Sequence, residues 1–448
     1  NGSTASLDHA ELRLVGHTHI QESLNRFAGV NLNRGNGQEY LPSVRSPVLT
    51  GSGGCAGFLM SEDGIPLRAA GFCNINELFE SHSEVADRIE ILRGSGTALY
   101  GSNAMHGVIN IVTPGVSPQN RLGVEIGEDD YGRLKFVGSN SFDGHNFGLA
   151  GSLTEDNGYR NDSGFGQQKI SIRHSFSSGG TDIESGLTLT NLNQETAGYI
   201  TGVDSYKSKE AAKNNPNPEA FRDVRALRAW TKISRSSRYG SWLVTPYARY
   251  TQMDFLQHFL PGDPLEENGQ RSVGFQLSHF FDTVGRTEVI AGIDAEYTKA
   301  YLRQTQDSPT LGPAFLRATI PTGKHYDYDV QATQLAPFVQ ANRKLNDALS
   351  ITFGARYETM RYDYDNRMLT GRTRDDGSGC GFGGCRYSRP ESTINSYDNT
   401  SLDFSARYEM SRDFIFYLRM ASAFRAPQAT EVYRLQRSQT VADLDPEK

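Results

Sequence analysis

From about residue 119 onward, apolar and polar residues alternate one by one over long stretches, the period of a β-strand whose two faces meet different surroundings. Between Ser350 and Glu358, Ile351, Phe353, Ala355 and Tyr357 share one face, while Thr352, Gly354, Arg356 and Glu358 share the other. Leu402, Phe404, Ala406 and Tyr408 alternate in the same way with Asp403, Ser405, Arg407 and Glu409. After a turn at Met410-Ser411-Arg412-Asp413 the apolar parity resumes at Phe414, Phe416, Leu418 and Met420, so these runs read as consecutive strands of one meander. The pattern predicts about thirteen strands, near 119–127, 131–141, 144–154, 167–176, 182–192, 223–234, 240–253, 271–281, 287–303, 327–343, 348–363, 400–409 and 414–424.

Connection lengths add a direction to the meander. The stretches at 194–222, 255–270, 304–326 and 364–399 are long, whereas those near 128, 142, 345 and 411 are tight. Strands with one face suited to lipid and one to a polar lumen, joined by connections of alternating length, predict a transmembrane antiparallel β-barrel with its long loops outside. A soluble β-sandwich is the alternative, but its strands rarely reach the roughly fifteen residues suggested at 287–303 and 348–363.

Residues 1–115 break this pattern and predict a separate α+β unit, leaving 116–448 to the barrel. Thr18-His19-Ile20-Gln21 has capping-box spacing, and Ile20, Leu24 and Phe27 follow on one helical face, so a helix is expected over 19–27 with Gly29 ending it. Asp63-Gly64, set between Phe58-Leu59-Met60 and Ile65-Pro66-Leu67, predicts a two-residue hairpin. That turn places position 55 opposite position 72, which brings Cys55 and Cys73 together at the open end.

Composition changes the picture mainly by what it leaves out. Only 37% of the 448 residues are hydrophobic, mean hydropathy is -0.53, and no run approaches the roughly 18 apolar residues of a membrane helix. A barrel survives this test because its alternating faces average out. The net charge of -7 is spread without a basic block, so nucleic acid is not an expected partner. Asn1 is followed by no apolar signal segment, so a processed or excised chain is expected. The four cysteines fall into two close pairs, Cys55 with Cys73 and Cys380 with Cys385, which predicts two disulfides and an oxidising compartment. Neither pair has zinc-site spacing, and His106 stands alone among Met105, Gly107 and Val108, so no metal site is expected. Ser, His and Asp lack any triad context, and Arg34-Gly35-Asn36-Gly37 opens no helix, so neither an enzyme nor a cofactor is expected.

Two motifs carry a family resemblance. The run from Arg88 to Thr113, RIEILRGSGTALYGSNAMHGVINIVT, closely resembles the end of the plug domain in TonB-dependent outer-membrane receptors. Phe424-Arg425-Ala426-Pro427 with Glu431 and Tyr433 resembles the family's mid-barrel motif, and Leu444-Asp445-Pro446-Glu447-Lys448 resembles the segment that follows it. Ser95 stands where the family has Pro, a small change within a turn. The resemblance implies a plug inside the lumen, a Gram-negative outer membrane with its lipid, and a TonB energising complex as partner. It also implies a TonB box ahead of the plug and about 22 strands. The strands counted here therefore imply more strands in the natural protein, because an open sheet edge in hydrocarbon leaves polar groups unpaired. The chain by itself is not expected to transport.

By the same resemblance, Glu90 and Arg93, and Arg425 and Glu431, help lock plug to barrel. The ligand is expected at the outward end of the plug, where glycines, aromatic and hydrogen-bonding groups gather at Gln38, Glu39, Tyr40, Arg68, Phe72 and Asn74. Connections 194–222 and 255–270 would close that site from above. An iron–siderophore complex leads among the small-molecule ligands, with cobalamin, copper or another metal, or a carbohydrate behind it. A passive pore or surface-binding protein is the other functional class, and a folded plug argues against it.

Overall fold

The computed structural model describes residues 3–48, 57–116, 120–437, 439 and 444–448. Thirteen strands, from Arg121–Ile126 to Ile415–Ala421, form one antiparallel sheet in which each strand bonds to its neighbours in the chain. Every predicted strand has its counterpart. Two-residue turns at Asp143-Gly144 and Gly179-Gly180 lie at one edge, and left-handed backbone at Asp143 (φ 48) and Gly144 (φ 76) matches the strand twist there. The connections 157–164, 196–220, 257–264, 307–322 and 367–392 lie at the opposite edge. The tight turn near 128 belongs to that outer edge despite its length.

Ten of the thirteen strands run longer at the outer end than the alternation predicts, and some, such as Phe221–Ser237 and Leu265–Val284, gain a few residues at the inner end as well. Leu265–Val284 and Thr287–Gln306 have 20 residues each and Gly323–Lys344 has 22, although about 9–11 residues cross the hydrocarbon. The long connection expected at 255–270 accordingly shrinks to 257–264, because Leu256 still pairs with Leu265. Beyond the lipid the outward face also takes polar residues, so Glu266 facing inward and Glu267 facing outward hide the period of two. At the other extreme, the strand expected to reach 424 stops at Ala421, where the chain turns inward through Pro427. Among the described residues no helix is long and apolar enough to cross a membrane.

Within 3–116, a five-stranded sheet runs Ser3–Asp8, Arg88–Arg93, Gly107–Val112, Phe58–Glu62, Ile65–Pro66, beside a small hairpin of Val30–Arg34 and Tyr40–Val44. Leu24, Leu32, Met60, Ile89, Ile109 and Ile111 close its core. The Asp63-Gly64 hairpin forms as expected, with φ of 56° and 85° and Glu62 opposite Ile65. The helix expected over 19–27 is only Gln21–Leu24. Glu22, not Gln21, reaches back, accepting from Thr18 Oγ1 at 2.8 Å. Asn25 then grips Leu32, accepting from its N–H at 2.6 Å, which pulls the chain into the next strand. A second helix, His9–Val15, was not expected, although Asp8 and Glu11 cap it reciprocally.

The sheet wraps this unit with its polar face inward. Arg133 donates to His17 O at 2.6 Å, Lys169 to Ser81 O at 2.6 Å, and Ser401 to Thr97 Oγ1 at 2.7 Å, while Arg419 on the last strand reaches Ser95 O. The outermost strands of the sheet do not pair with each other. Cys380 and Cys385 are bonded, with Cα atoms 4.9 Å apart, in the outer connection 367–392. The other expected bond involves Cys55, which lies outside the described residues.

Candidate functional site

Acidic groups of the N-terminal unit face basic groups of the wall. Asp63 pairs with Arg173 at 2.5 Å, Glu62 with Arg228 at 3.3 Å, Glu84 with Lys169 at 2.9 Å and Glu39 with Arg222 at 3.0 Å. Thr113 also donates to Asp63 through its N–H at 3.0 Å. Trp230 and Tyr247 face inward and pack on Ile65, while Trp242 and Tyr250 are exposed on the outer face. His82 bonds Ser171 Oγ at 2.7 Å and Ser152 Oγ at 3.1 Å, and burial holds its pKa down to about 4, so a neutral ring joins the two.

Glu90 and Arg93, expected to lock plug to barrel, make their hydrogen bonds within the plug. Glu90 accepts from Arg88 at 2.6 Å and Asn110 at 2.9 Å, with the wall's Lys232 favouring its charged form, and Arg93 donates to Ala28 O at 2.8 Å. Arg425 and Glu431 pair with each other at 3.0 Å. They shape a segment that docks through its backbone, Ala426 N to Ser102 Oγ at 3.1 Å and Ala429 N to Gly71 O at 2.9 Å. His106 packs beside Phe58 at 5.8 Å between ring centres.

Above this interface, toward the long connections, lies a cavity of about 790 Å³. The N-terminal unit forms its floor through Glu39, Tyr40, Arg68, Phe72 and Asn74, five of the six expected residues. Gln38 is instead buried beneath, its N–H donating to Gln194 Oε1 at 2.6 Å. Tyr40 and Arg68 are already engaged: the Tyr40 hydroxyl accepts from Leu78 N at 2.9 Å, and Arg68 donates to Glu80 at 2.7 Å. Asn74 N donates to Glu77 at 2.9 Å, where burial pushes the carboxyl up to about 8. Residues of both expected covering stretches, Ala197, Tyr199 and Arg222 and then residues from Phe255 to Gln270, line the walls. The reading of the sequence missed His325, Tyr326, Tyr328, Arg386 and Arg434, and held Arg222 only as the last position of the expected stretch 194–222. The inward parity of a long strand could have pointed to Tyr326 and Tyr328, whereas Arg386 and Arg434 lie outside the long strands.

A wrapped sheet of these proportions, filled by an α+β unit that leaves a cavity on the long-loop side, agrees with two family models. One, described as TonB dependent receptor-like, beta-barrel, matches residues 117–448, and the other, TonB-dependent Receptor Plug Domain, matches 1–108. The chain belongs to the TonB-dependent receptor family. Its place is the outer membrane of a Gram-negative bacterium. The fold is similar to that of the ferric citrate transporter in its unliganded form (TM-score 0.74, 15% identity, covering 96% of this chain and 64% of that one). It is also similar to the ferric yersiniabactin uptake receptor from Yersinia pestis (0.71, 16%, 100% and 67%) and to a copper transporter (0.67, 13%, 92% and 61%). The chain thus spans about two thirds of the length of the solved receptors it matches.

Proposed function

We propose that this receptor, with its plug over 1–115 and its barrel from 116 onward, takes up a scarce small molecule across the outer membrane with energy delivered by the TonB complex. An iron–siderophore complex leads as ligand. Cobalamin, copper or another metal, or a carbohydrate are the alternatives within the family, ahead of a passive porin or surface-binding protein, and the chain is read as a receptor rather than an enzyme. The observation that carries this reading is the lumen itself. A folded plug tied to the wall by buried ion pairs obstructs diffusion, yet leaves a large cavity between its outer end and the outer connections. Such an arrangement suits capture followed by an energised opening. The first test is growth of a deletion strain on single iron, copper and cobalamin sources. A defect on one ferric siderophore, restored by the gene, is expected, and normal growth on every iron chelate would overturn the iron assignment.

A further inference from the structure

We propose that the cavity selects an anionic, oxygen-rich chelate, and that Arg222 reads its charge. This deepens the uptake reading above and rests on it. Five arginines line the cavity, Arg34, Arg68, Arg222, Arg386 and Arg434, against two carboxylates, Glu39 and Glu266. Two of the five are spoken for: Arg68 by Glu80 beneath the floor and Arg434 by Glu266 at 2.8 Å. Arg34 and Arg386 are exposed and enter no ion pair among the described residues.

Arg222 differs from all of these. It is only 6% exposed, and one of its nitrogens, Nη2, meets Glu39 at 3.0 Å. Its Nε and Nη1 are buried without a hydrogen-bond partner among the described residues. The guanidinium lies 3.8 Å from the centre of the Phe255 ring, which fixes its plane beside the cavity. Tyr328, also lining the cavity, has a buried hydroxyl without a hydrogen-bond partner among the described residues. The cavity therefore offers unmet N–H and O–H donors. Buried donors are costly to leave unmet, and a rigid guanidinium matches the paired oxygens of a carboxylate or similar chelating group. A cationic ligand would add repulsion in a partly desolvated space and leave the same donors unmet.

The experiment measures binding of three ferric chelates to the purified receptor: anionic ferric citrate, neutral ferrichrome and cationic ferrioxamine B. Ferric citrate should bind tightest, and added salt should weaken it alone. Arg222→Gln should cut that affinity by about tenfold or more, as loss of charge-assisted bonds would, while leaving ferrichrome unchanged. A purely structural role would weaken all three alike, and that result would overturn the proposal. Equal affinity for the three chelates, or a citrate affinity that neither Arg222→Gln nor salt alters, would do the same. Should Arg222→Gln not assemble, the salt series on the unaltered receptor and Arg386→Gln in the outer connection carry the decision, the latter with a loss of a few-fold for citrate alone. Failure of all three chelates to bind would overturn the iron reading, and the chelate proposal with it; binding without charge order overturns the charge proposal only.

Discussion

At Asp63 a single carboxylate serves turn and lock together. It occupies the left-handed position of the hairpin, and its oxygens take Arg173 at 2.5 Å and the Thr113 N–H at 3.0 Å. Both side chains of the pair are buried, so removing one leaves the other as an uncompensated charge. Asp63→Ala should therefore destabilise the plug by about 3 kcal/mol. The double variant Asp63→Ala, Arg173→Met should recover most of that loss. Denaturant unfolding and amide exchange of Phe58–Pro66 would measure it, and equal losses in the single and double variants would refute the pairing argument. Glu77 makes a different prediction. Burial raises its pKa from the ordinary 4.5 to about 8, so the folded plug holds a proton that the unfolded chain releases. The stability this contributes is complete below about pH 4.5 and is lost as pH rises toward 8. Glu77→Gln should keep plug stability near pH 6 and flatten its decline up to pH 8; an unchanged decline would show that another group titrates.

Among the elements, the barrel strands are where alternation proved most informative. Phe165–Ser178 turns Lys169, Ser171 and Arg173 inward onto the plug and leaves Ile170 and Ile172 exposed on the outer face. Ile172→Arg places a charge against lipid near mid-strand and should cost about 2–4 kcal/mol of folding into bilayers, measured by urea titration in liposomes. A cost near zero would mean that this face does not meet hydrocarbon. The helices were harder to read. Gln21–Leu24 and His9–Val15 are four and seven residues long, too short to show a full amphipathic period. The signal available for the second was the Asp8-x-x-Glu11 capping box, with Glu11 N donating to Asp8 at 2.9 Å.

For the whole molecule, the wall supplies cations and the plug supplies carboxylates along one seam, from Glu39–Arg222 by the cavity down to Asp63–Arg173. That polarity ties the plug to the wall through buried ion pairs. The sequence alone determined the thirteen strands, the inward and outward parity of the three whose faces were read, the Asp63-Gly64 turn and the family, because each depends on residues near one another in the chain. It also indicated five floor residues of the cavity, since glycines and polar groups cluster there locally. Only the tertiary structure decided the partners. Glu90 and Arg93 turned to neighbours within the plug, Gln38 was buried under the floor, and Tyr40 and Arg68 were engaged by Leu78 and Glu80. Arg222, left with unmet donors beside the cavity, emerged from a strand more than 180 positions from Glu39. Burial and pairing at such distances follow from how the sheet wraps the plug, and no local pattern records that.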